Sequence, residues 1–217
     1  HPAAHRFMKW DTQQTEWIKP HLNKFSGEQK KLVDYFYSLF EKKVLPVFPR
    51  LRKSVNYNDA NDYNVLVSLD TSDPVVPGVI DFGDVVYTQT INELAIALAY
   101  AVMHKPDPIE TACHVVRGFN NKFKLTEEEI RVLFPLMAAR LIISVTCSEL
   151  NRIDHPENVY LQISDKPAWT LLEKLSRVSP AFAEYEFRDA CGLEPCIYQN
   201  SHVSWVERNF KDVIAPV

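Results

Sequence analysis

The stretch Val79-Ile80-Asp81-Phe82-Gly83-Asp84 is the segment of this chain that most narrows its fold. It ends a short apolar run with an acidic residue and a glycine. An earlier stretch, Tyr57-Asn58-Asp59-Ala60-Asn61-Asp62-Tyr63-Asn64, places an asparagine five positions after an aspartate. From these two stretches the carboxylates of Asp59 and Asp81 and the amide of Asn64 stand out, all within one short part of the chain.

These oxygen-bearing side chains are suited to phosphoryl transfer. A phosphoryl donor carries several negative charges, and the divalent metal that accompanies it prefers hard oxygen ligands. Asn64 and Asp81 are therefore predicted to bind Mg²⁺. Asp59 is predicted to be the catalytic base that takes or orients the proton of the acceptor hydroxyl. The alternative is that Asp59, Asp62 and Asn64 are turn and capping residues of a polar loop.

The residues between the two stretches predict a small β-hairpin with one motif on each arm. A short apolar run, residues 65–67, follows the first motif, and another, residues 75–80, leads into the second. Turn-forming residues separate the two runs: Asp70, Thr71, Ser72, Asp73 and Pro74. This context matters because Asp-Phe-Gly alone is a weak signal.

At these residues the chain resembles the aminoglycoside phosphotransferase and choline kinase family. The loop of that family usually reads His-Gly-Asp-x-x-x-x-Asn, ahead of an Ile-Asp-Phe-Gly or Ile-Asp-Trp-Gly strand. Asp59, Asn64 and Asp81 fall on its functional positions, while Tyr57 and Asn58 stand where the family usually has histidine and glycine. The segment from residue 10 to 100 looks most like small-molecule kinases of the hydroxylysine or ethanolamine type, some of them fused to class III aminotransferases.

The resemblance implies a mainly α fold with a small β-hairpin, the C-terminal (helical) lobe of a protein-kinase-like fold. It implies ATP as phosphoryl donor, Mg²⁺ as cofactor and a small-molecule hydroxyl acceptor, with an amino alcohol favoured. We expect a single domain over residues 1–217. Leading helices are expected in 1–54, the catalytic loop and metal-binding hairpin in 55–84, and a helical subdomain in 85–217.

Members of this family also have an amino-terminal nucleotide lobe, with a sheet, a loop over the phosphates and a lysine. Only 58 residues precede Asp59, and they contain one glycine, Gly27, so they cannot form a glycine-rich phosphate loop. We therefore expect a truncated, proteolysed or excised part of a longer kinase, inactive alone, whose partners are the nucleotide lobe and a fused aminotransferase. The alternative is a non-catalytic kinase-like module for binding or interaction, within such a fusion.

Apolar residues at helical spacing predict helices on both sides of the hairpin. The predicted ranges are residues 28–48, 91–103, 109–123 and 126–152, shorter helices between 156 and 188, and a last helix or linker over 201–213. The second range is apolar nearly all round and is expected to be buried. Thr126 and Glu129 predict a capping box at the start of the fourth helix.

Acceptor contacts are expected on the helical side. Carboxylates and the faces of Trp or Tyr stabilise an ammonium group. The candidates are Asp84, Glu93, Tyr160, Trp169 and Trp205. For each, an ordinary structural role is an open alternative: Glu93 caps or pairs within its helix, and the tryptophans pack in the core.

Composition narrows the function classes further. The 217 residues are 46% hydrophobic, enough for one sizeable core. A net charge of −4 without a long basic run argues against nucleic-acid binding. No run of about twenty apolar residues and no signal peptide is evident, so we expect a cytoplasmic protein without a membrane partner. The four cysteines are expected to be buried free thiols rather than zinc ligands or disulfides: Cys113, Cys147, Cys191 and Cys196.

Overall fold

The computed structural model describes residues 1–70, 72–154 and 165–210. Most of these residues are helical, and two small antiparallel sheets accompany the helices, in agreement with the predicted mainly α class. The α-helices are α1 (Gly27–Lys43), α2 (Ile91–Ala101), α3 (Pro108–Lys122), α4 (Glu127–Asp154), α5 (Asp165–Ser176), α6 (Pro180–Ala190) and α7 (Gln199–Phe210). The strands are β1 (Lys53–Asn56), β2 (Val65–Leu66), β3 (Gly78–Val79) and β4 (Val86–Gln89). Three-residue 3-10 helices cover Pro2–Ala4, Phe48–Arg50 and Phe82–Asp84, and a longer 3-10 segment with a kink at Gln14 covers Thr12–Lys24.

Helix α4 is the centre of the hydrophobic core. It packs against α1, α2, α5 and α6. Its side chains from Ile130 to Ser148 are buried, apart from Arg131 and Ser144. By length and composition an 18-residue stretch of α4 could cross a membrane, but 94% of that stretch is buried inside the fold, as in the core helix of a globular protein. No run of about twenty purely apolar residues is present in α4, because Arg131 and Arg140 interrupt it.

The first turn of α4 has the predicted capping box. The Thr126 backbone N–H donates to Glu129 Oε2 (2.8 Å), and the Glu129 backbone N–H donates to Thr126 Oγ1 (3.3 Å). The Glu129 carboxylate, 1% exposed, also accepts from Arg52 Nε (2.9 Å) and Nη2. Glu129 therefore joins Arg52, the residue before β1, to the first turn of α4.

We expect Glu129→Ala to lower the free energy of unfolding by about 2 kcal/mol, because it removes a helix cap and leaves the Arg52 guanidinium unpaired. The matched control is Glu128→Ala, whose carboxylate pairs with Arg50 (2.7 Å) in a largely exposed contact. That variant is expected to change stability by less than about 0.5 kcal/mol. Urea unfolding of both variants is the measurement, and equal losses would contradict the assigned role of Glu129.

The predicted hairpin is confirmed, and a second two-stranded sheet pairs the segments that flank it in sequence. Strands β2 and β3 are antiparallel, with Val65 opposite Val79. The unpredicted pair is β1 with β4, in which Asn56 lies opposite Val86. Both of its strands are short, β1 is mainly polar, and the partners are far apart in sequence, so no local pattern marked them. This second pair holds together the two ends of the segment that carries both motifs.

Several predicted boundaries are wrong. Helix α1 ends at Lys43 rather than Phe48, because Pro46 cannot donate the backbone hydrogen bond that continues a helix. Within residues 1–54 the helical elements are α1 and three 3-10 helices, and β1 begins at Lys53. Helix α7 begins at Gln199, two residues earlier than predicted. Residues 156–164 and 211–213 of the predicted helices lie outside the described residues.

The cysteines are free thiols in two environments. Cys113 and Cys147 are buried, as predicted, whereas Cys191 and Cys196 are only half-buried. Burial raises the pKa of the Cys113 thiol to about 11. A thiol so seldom ionised near neutral pH is a poor nucleophile.

Candidate active site

Asp59 and Asn64, at the two ends of the predicted catalytic loop, are in direct contact. Asn64 Nδ2 donates to Asp59 Oδ2 (2.7 Å), and Asn61 Nδ2 donates to Asp59 Oδ1 (3.0 Å). Asn61 also turns the loop, because its Oδ1 accepts from the backbone N–H of Tyr63 (2.8 Å). Asn61, which the turn-and-cap alternative did not include, thus turns the loop, while the carboxylate of Asp59 is held by two side-chain amides.

The hairpin places Asp81 next to Asn64. The backbone N–H of Ile80 donates to the carbonyl oxygen of Asn64 (3.0 Å). Asp81 is exposed and has φ of +59°, in the left-handed region where residues other than glycine are uncommon. Its Oδ1 accepts from the backbone N–H of Gly83 (3.1 Å). Such backbone conformations cluster at functional sites.

Tyr57 connects the catalytic loop to the arm that carries Asp81. Its hydroxyl donates to the carbonyl oxygen of Ile80, and its ring packs edge-on against Phe82 with 5.3 Å between ring centroids. Burial raises the pKa of the Tyr57 hydroxyl, and the charges of Asp59 and Asp81 add to this effect. Tyr57 therefore fixes the relative position of the two motifs.

Asn58 explains how this loop tolerates the loss of the usual glycine. Its φ is +68°, a left-handed conformation that glycine adopts freely and asparagine adopts more readily than most residues. Its side chain is buried, and neither the amide nitrogen nor the amide oxygen has a hydrogen-bond partner within the described part of the chain. The substitution thus keeps the backbone geometry that the loop requires.

Glu93 supports the same loop from α2. The Asn58 backbone N–H donates to Glu93 Oε2 (2.8 Å). Burial raises the pKa of the Glu93 carboxyl, whereas its hydrogen bonds from the Asn58 and Tyr57 backbone oppose that rise. The carboxylate therefore reaches across to the loop instead of capping or pairing within its helix. The predicted acceptor contact of Glu93 stays a prediction.

If Asp59 is the catalytic base, as the sequence predicts, Glu93→Ala is expected to lower kcat of the full-length protein about 10- to 100-fold, because a small misplacement of a catalytic group has a large effect on rate. Without the Glu93 carboxylate, the backbone N–H of Asn58, a residue in the left-handed conformation, loses its hydrogen-bond acceptor. Glu110→Ala, at an exposed position on α3, is the matched control and should leave kcat unchanged. Steady-state kinetics with a thermal-unfolding control for both variants make the comparison. An unaltered kcat in Glu93→Ala would rule out this supporting role.

Three carboxylates give this region a negative charge: Asp59, Asp81 and Asp84. Burial raises the pKa of Asp59, and the charge of Asp81 adds to the rise, while the amide hydrogen bonds and Arg140 lower it. Burial likewise raises the pKa of Asp84, with a further rise from Asp59 and a lowering by Arg140 and Arg6. A divalent cation or an ammonium group would relieve this mutual repulsion.

Asn64 and Asp81 fit a magnesium ion. Asn64 turns its amide nitrogen to Asp59, and none of the hydrogen bonds between described residues uses its amide oxygen. The exposed carboxylate of Asp81 supplies the second hard oxygen. Mg²⁺ commonly takes only one or two side-chain oxygens and completes its shell with water and phosphate. Among the described residues no group of three His, Cys, Asp or Glu is suited to a metal.

The other acceptor candidates have different surroundings. Asp84 is half-buried and is electrostatically coupled to Asp59. Trp205 is 53% exposed on α7, where its ring contacts Phe210 (5.5 Å between centroids), and no contact among the described residues joins it to the loop. Trp169 packs edge-on against the buried Phe25, a core role. Tyr160 lies outside the described residues. Of these candidates that fall in the described ranges, only Asp84 is near Asp59.

Two arginines at this site were not singled out from sequence. Arg6 donates from Nε (3.2 Å) and Nη2 (3.0 Å) to the carbonyl oxygen of Val85, and from Nη2 to that of Gly83. No sequence pattern marks Arg6, which is far from its partners along the chain. Arg140 is different, because an arginine in the middle of the apolar run of α4 can be recognised in the sequence as a candidate functional residue.

Comparison with known proteins identifies a family and several relatives. Residues 2–120, more than half of the chain, match the model of the phosphotransferase enzyme family. The chain is 28% identical to a hydroxylysine kinase of Mus musculus over 186 residues. The aligned region covers 81% of this chain and 50% of that relative. For a hydroxylysine kinase of Xenopus laevis the identity is 31% over 175 residues, covering 76% and 46%. A Bos taurus hydroxylysine kinase is 30% identical over 155 residues, covering 69% and 41%.

The chain spans about half the length of the curated relatives it matches. No solved structure matches it. The resemblance stated from the loop and hairpin residues is confirmed by the family match and by these relatives. This chain therefore belongs to the phosphotransferase enzyme family.

Proposed function

We propose that this chain supplies the catalytic and acceptor-binding lobe of an ATP-dependent small-molecule kinase that phosphorylates a hydroxyl group. The observation that carries the proposal is the direct contact of Asn64 with Asp59, beside Asp81, in a member of the phosphotransferase enzyme family. The relatives are named hydroxylysine kinases, which supports an acceptor that carries both an amino group and a hydroxyl.

In this proposal Asp59 is the base. Its carboxylate, held by the amides of Asn61 and Asn64, accepts the proton of the acceptor hydroxyl as that oxygen attacks the terminal phosphorus of ATP. The bond from this phosphorus to the bridging oxygen breaks, and ADP leaves. Asn64 Oδ1 and the Asp81 carboxylate hold the metal. Bound Mg²⁺ neutralises charge on the donor phosphates. The carboxylate of Asp84 attracts the ammonium group of the acceptor.

The proposed partner of this lobe is a nucleotide-binding lobe. The hairpin exposes a set of large apolar side chains: Val67, Leu69, Val75, Val76, Ile80 and Phe82. Apolar patches of this kind commonly mark contact surfaces, and this one adjoins Asp81. We propose that the nucleotide lobe covers the hairpin, and that the chain alone is inactive. Fusion to an aminotransferase and a cytoplasmic location stay predictions.

The test is a transfer experiment with the full-length protein that contains this chain. It is incubated with ATP and Mg²⁺ and with 5-hydroxylysine or ethanolamine, and ³¹P NMR follows the products. We expect a phosphomonoester resonance to grow with one of the acceptors as ADP accumulates. If an acceptor binds but no phosphomonoester forms, the result would instead favour a non-catalytic module. The exposed hairpin surface would then be its interaction site.

A further inference from the structure

Arg140 is a buried cation without an acidic partner. It lies in the middle of α4 and is 2% exposed. Nη2 donates to the Tyr100 hydroxyl (2.7 Å) and Nη1 to Ser144 Oγ (2.8 Å), while Nε has no partner. Within the described ranges no carboxylate oxygen lies within 4 Å of its guanidinium. An unpaired buried charge is costly, so an arginine kept in this state suggests a missing anion.

Aromatic rings and a hydroxyl surround Arg140. The ring centroids of Trp10 and Tyr100 lie 4.7 Å and 5.3 Å from its Cζ. These two aromatic residues and Ser144 are each partly exposed, so the side chains that contact the buried guanidinium reach the protein surface.

A second cation, Lys9, lies on the same side. Burial raises the pKa of the Cys147 thiol, and the charges of Lys9 and Arg140 oppose that rise, so both cations are near this thiol. Lys9 Nζ stands 5.0 Å from the centre of the Trp17 ring. Like Arg140, it has no carboxylate within 4 Å in the described segments. Two cations thus share one end of the region.

Carboxylates also lie within range of this charge. Burial raises the pKa of Asp59 and of Asp84, the charge of Arg140 lowers both, and neither carboxylate forms an ion pair with Arg140 in the described segments. A ligand held among these groups would meet both cations and carboxylates. That distribution of charge is complementary to a zwitterion that also carries a hydroxyl.

We propose that Arg140 binds the carboxylate of an amino-acid acceptor, with Lys9 adding positive charge, and thereby selects hydroxy amino acids over amino alcohols that lack a carboxylate. The planar guanidinium offers paired N–H groups that match a carboxylate, which a lysine cannot do. With the carboxylate there, an amino group lies toward Asp84 and the hydroxyl toward Asp59. This inference rests on the proposed function and adds the class of acceptor.

The experiment compares two probes that differ only in the carboxylate: 5-hydroxylysine and 1,5-diaminopentan-2-ol. Full-length wild type, Arg140→Met and Arg140→Lys are titrated with each probe by calorimetry, and kcat/KM is measured with ATP and Mg²⁺. We expect Arg140→Met to weaken the binding of 5-hydroxylysine roughly 100-fold and that of the diamine by less than about 3-fold. Arg140→Lys keeps the positive charge but lacks the paired N–H groups of the guanidinium, and it should weaken the binding of 5-hydroxylysine about 10-fold.

Two further variants guard against misfolding and non-specific effects. Arg131→Met removes an exposed arginine of the same helix, which pairs with Glu184 (3.6 Å), and should leave the ratio between the probes unchanged. Tyr100→Phe removes the hydroxyl that accepts from Arg140 but keeps the ring, and should weaken 5-hydroxylysine selectively. If Arg140→Met does not fold, the Arg140→Lys and Tyr100→Phe results decide the question.

Equal weakening of both probes in a folded variant would assign Arg140 a structural role and overturn the inference, as would failure of wild type to bind 5-hydroxylysine. Transfer to both probes with no effect of the carboxylate would leave the proposed function standing and reject the inference. Binding of 5-hydroxylysine that depends on Arg140, without any phosphorylation, would support the inference and reject the proposed function.

Discussion

Asp59→Asn is expected to lower kcat of the full-length protein about 1000-fold, because it removes the only group assigned to take the proton of the acceptor hydroxyl. The amide is nearly the same size as the carboxylate. It can still accept from Asn61 or Asn64, so the loop is expected to keep its conformation. The loss should therefore appear in kcat, with the thermal unfolding temperature little changed.

The matched control is Asp62→Asn, three residues further along the same loop. Asp62 is exposed, and its charge is not required by the proposed chemistry. Its variant is expected to retain kcat within about 3-fold, since changes at an exposed, unpaired position are commonly near neutral. Similar kinetics for Asp59→Asn and Asp62→Asn would remove Asp59 from the reaction.

Asp81→Asn is expected to raise the Mg²⁺ concentration for half-maximal activity by more than about 100-fold, because even the partners of metal ligands cost 10- to 100-fold when removed. Asparagine tolerates the left-handed backbone at this position and can accept the hydrogen bond from Gly83. The change therefore removes the negative charge while leaving the turn intact.

Activity measured over a Mg²⁺ titration tests this expectation, and Asp73→Asn serves as control. Asp73 is an exposed aspartate between the two hairpin strands, away from the loop of Asp59. A hundredfold rise in the Mg²⁺ concentration for half-maximal activity in Asp81→Asn, with no rise in Asp73→Asn, would show that Asp81 binds the metal. Equal curves for the two variants would exclude Asp81 as a metal ligand.

Local chemistry explains what could be predicted from the sequence. The spacing of Asp59 and Asn64 requires only one loop, and the turn residues after Leu66 produce a hairpin between neighbouring segments. Both features depend on interactions over few residues, and both are present. The capping box of Thr126 and Glu129 was predictable for the same reason.

Contacts between distant parts of the chain explain what was missed. The pairing of β1 with β4, the hydrogen bonds of Arg6 to Val85, and the contact of Glu93 with Asn58 each join segments that only the folded core brings together. Helical periodicity places Glu93 on α2 but not against the loop. Arg140 was visible as a charge in an apolar run, yet its aromatic neighbours were not.

The most direct test of the central claim, that Asn64 and Asp81 hold the metal next to Asp59, is the position of the metal itself. Crystals of the full-length protein with Mn²⁺ in place of Mg²⁺ and a non-hydrolysable ATP analogue would show the ion by its anomalous scattering. We predict an anomalous peak bound by Asn64 Oδ1 and the Asp81 carboxylate, with Asp59 facing the terminal phosphate. A metal–nucleotide complex held without either of these residues would contradict the account.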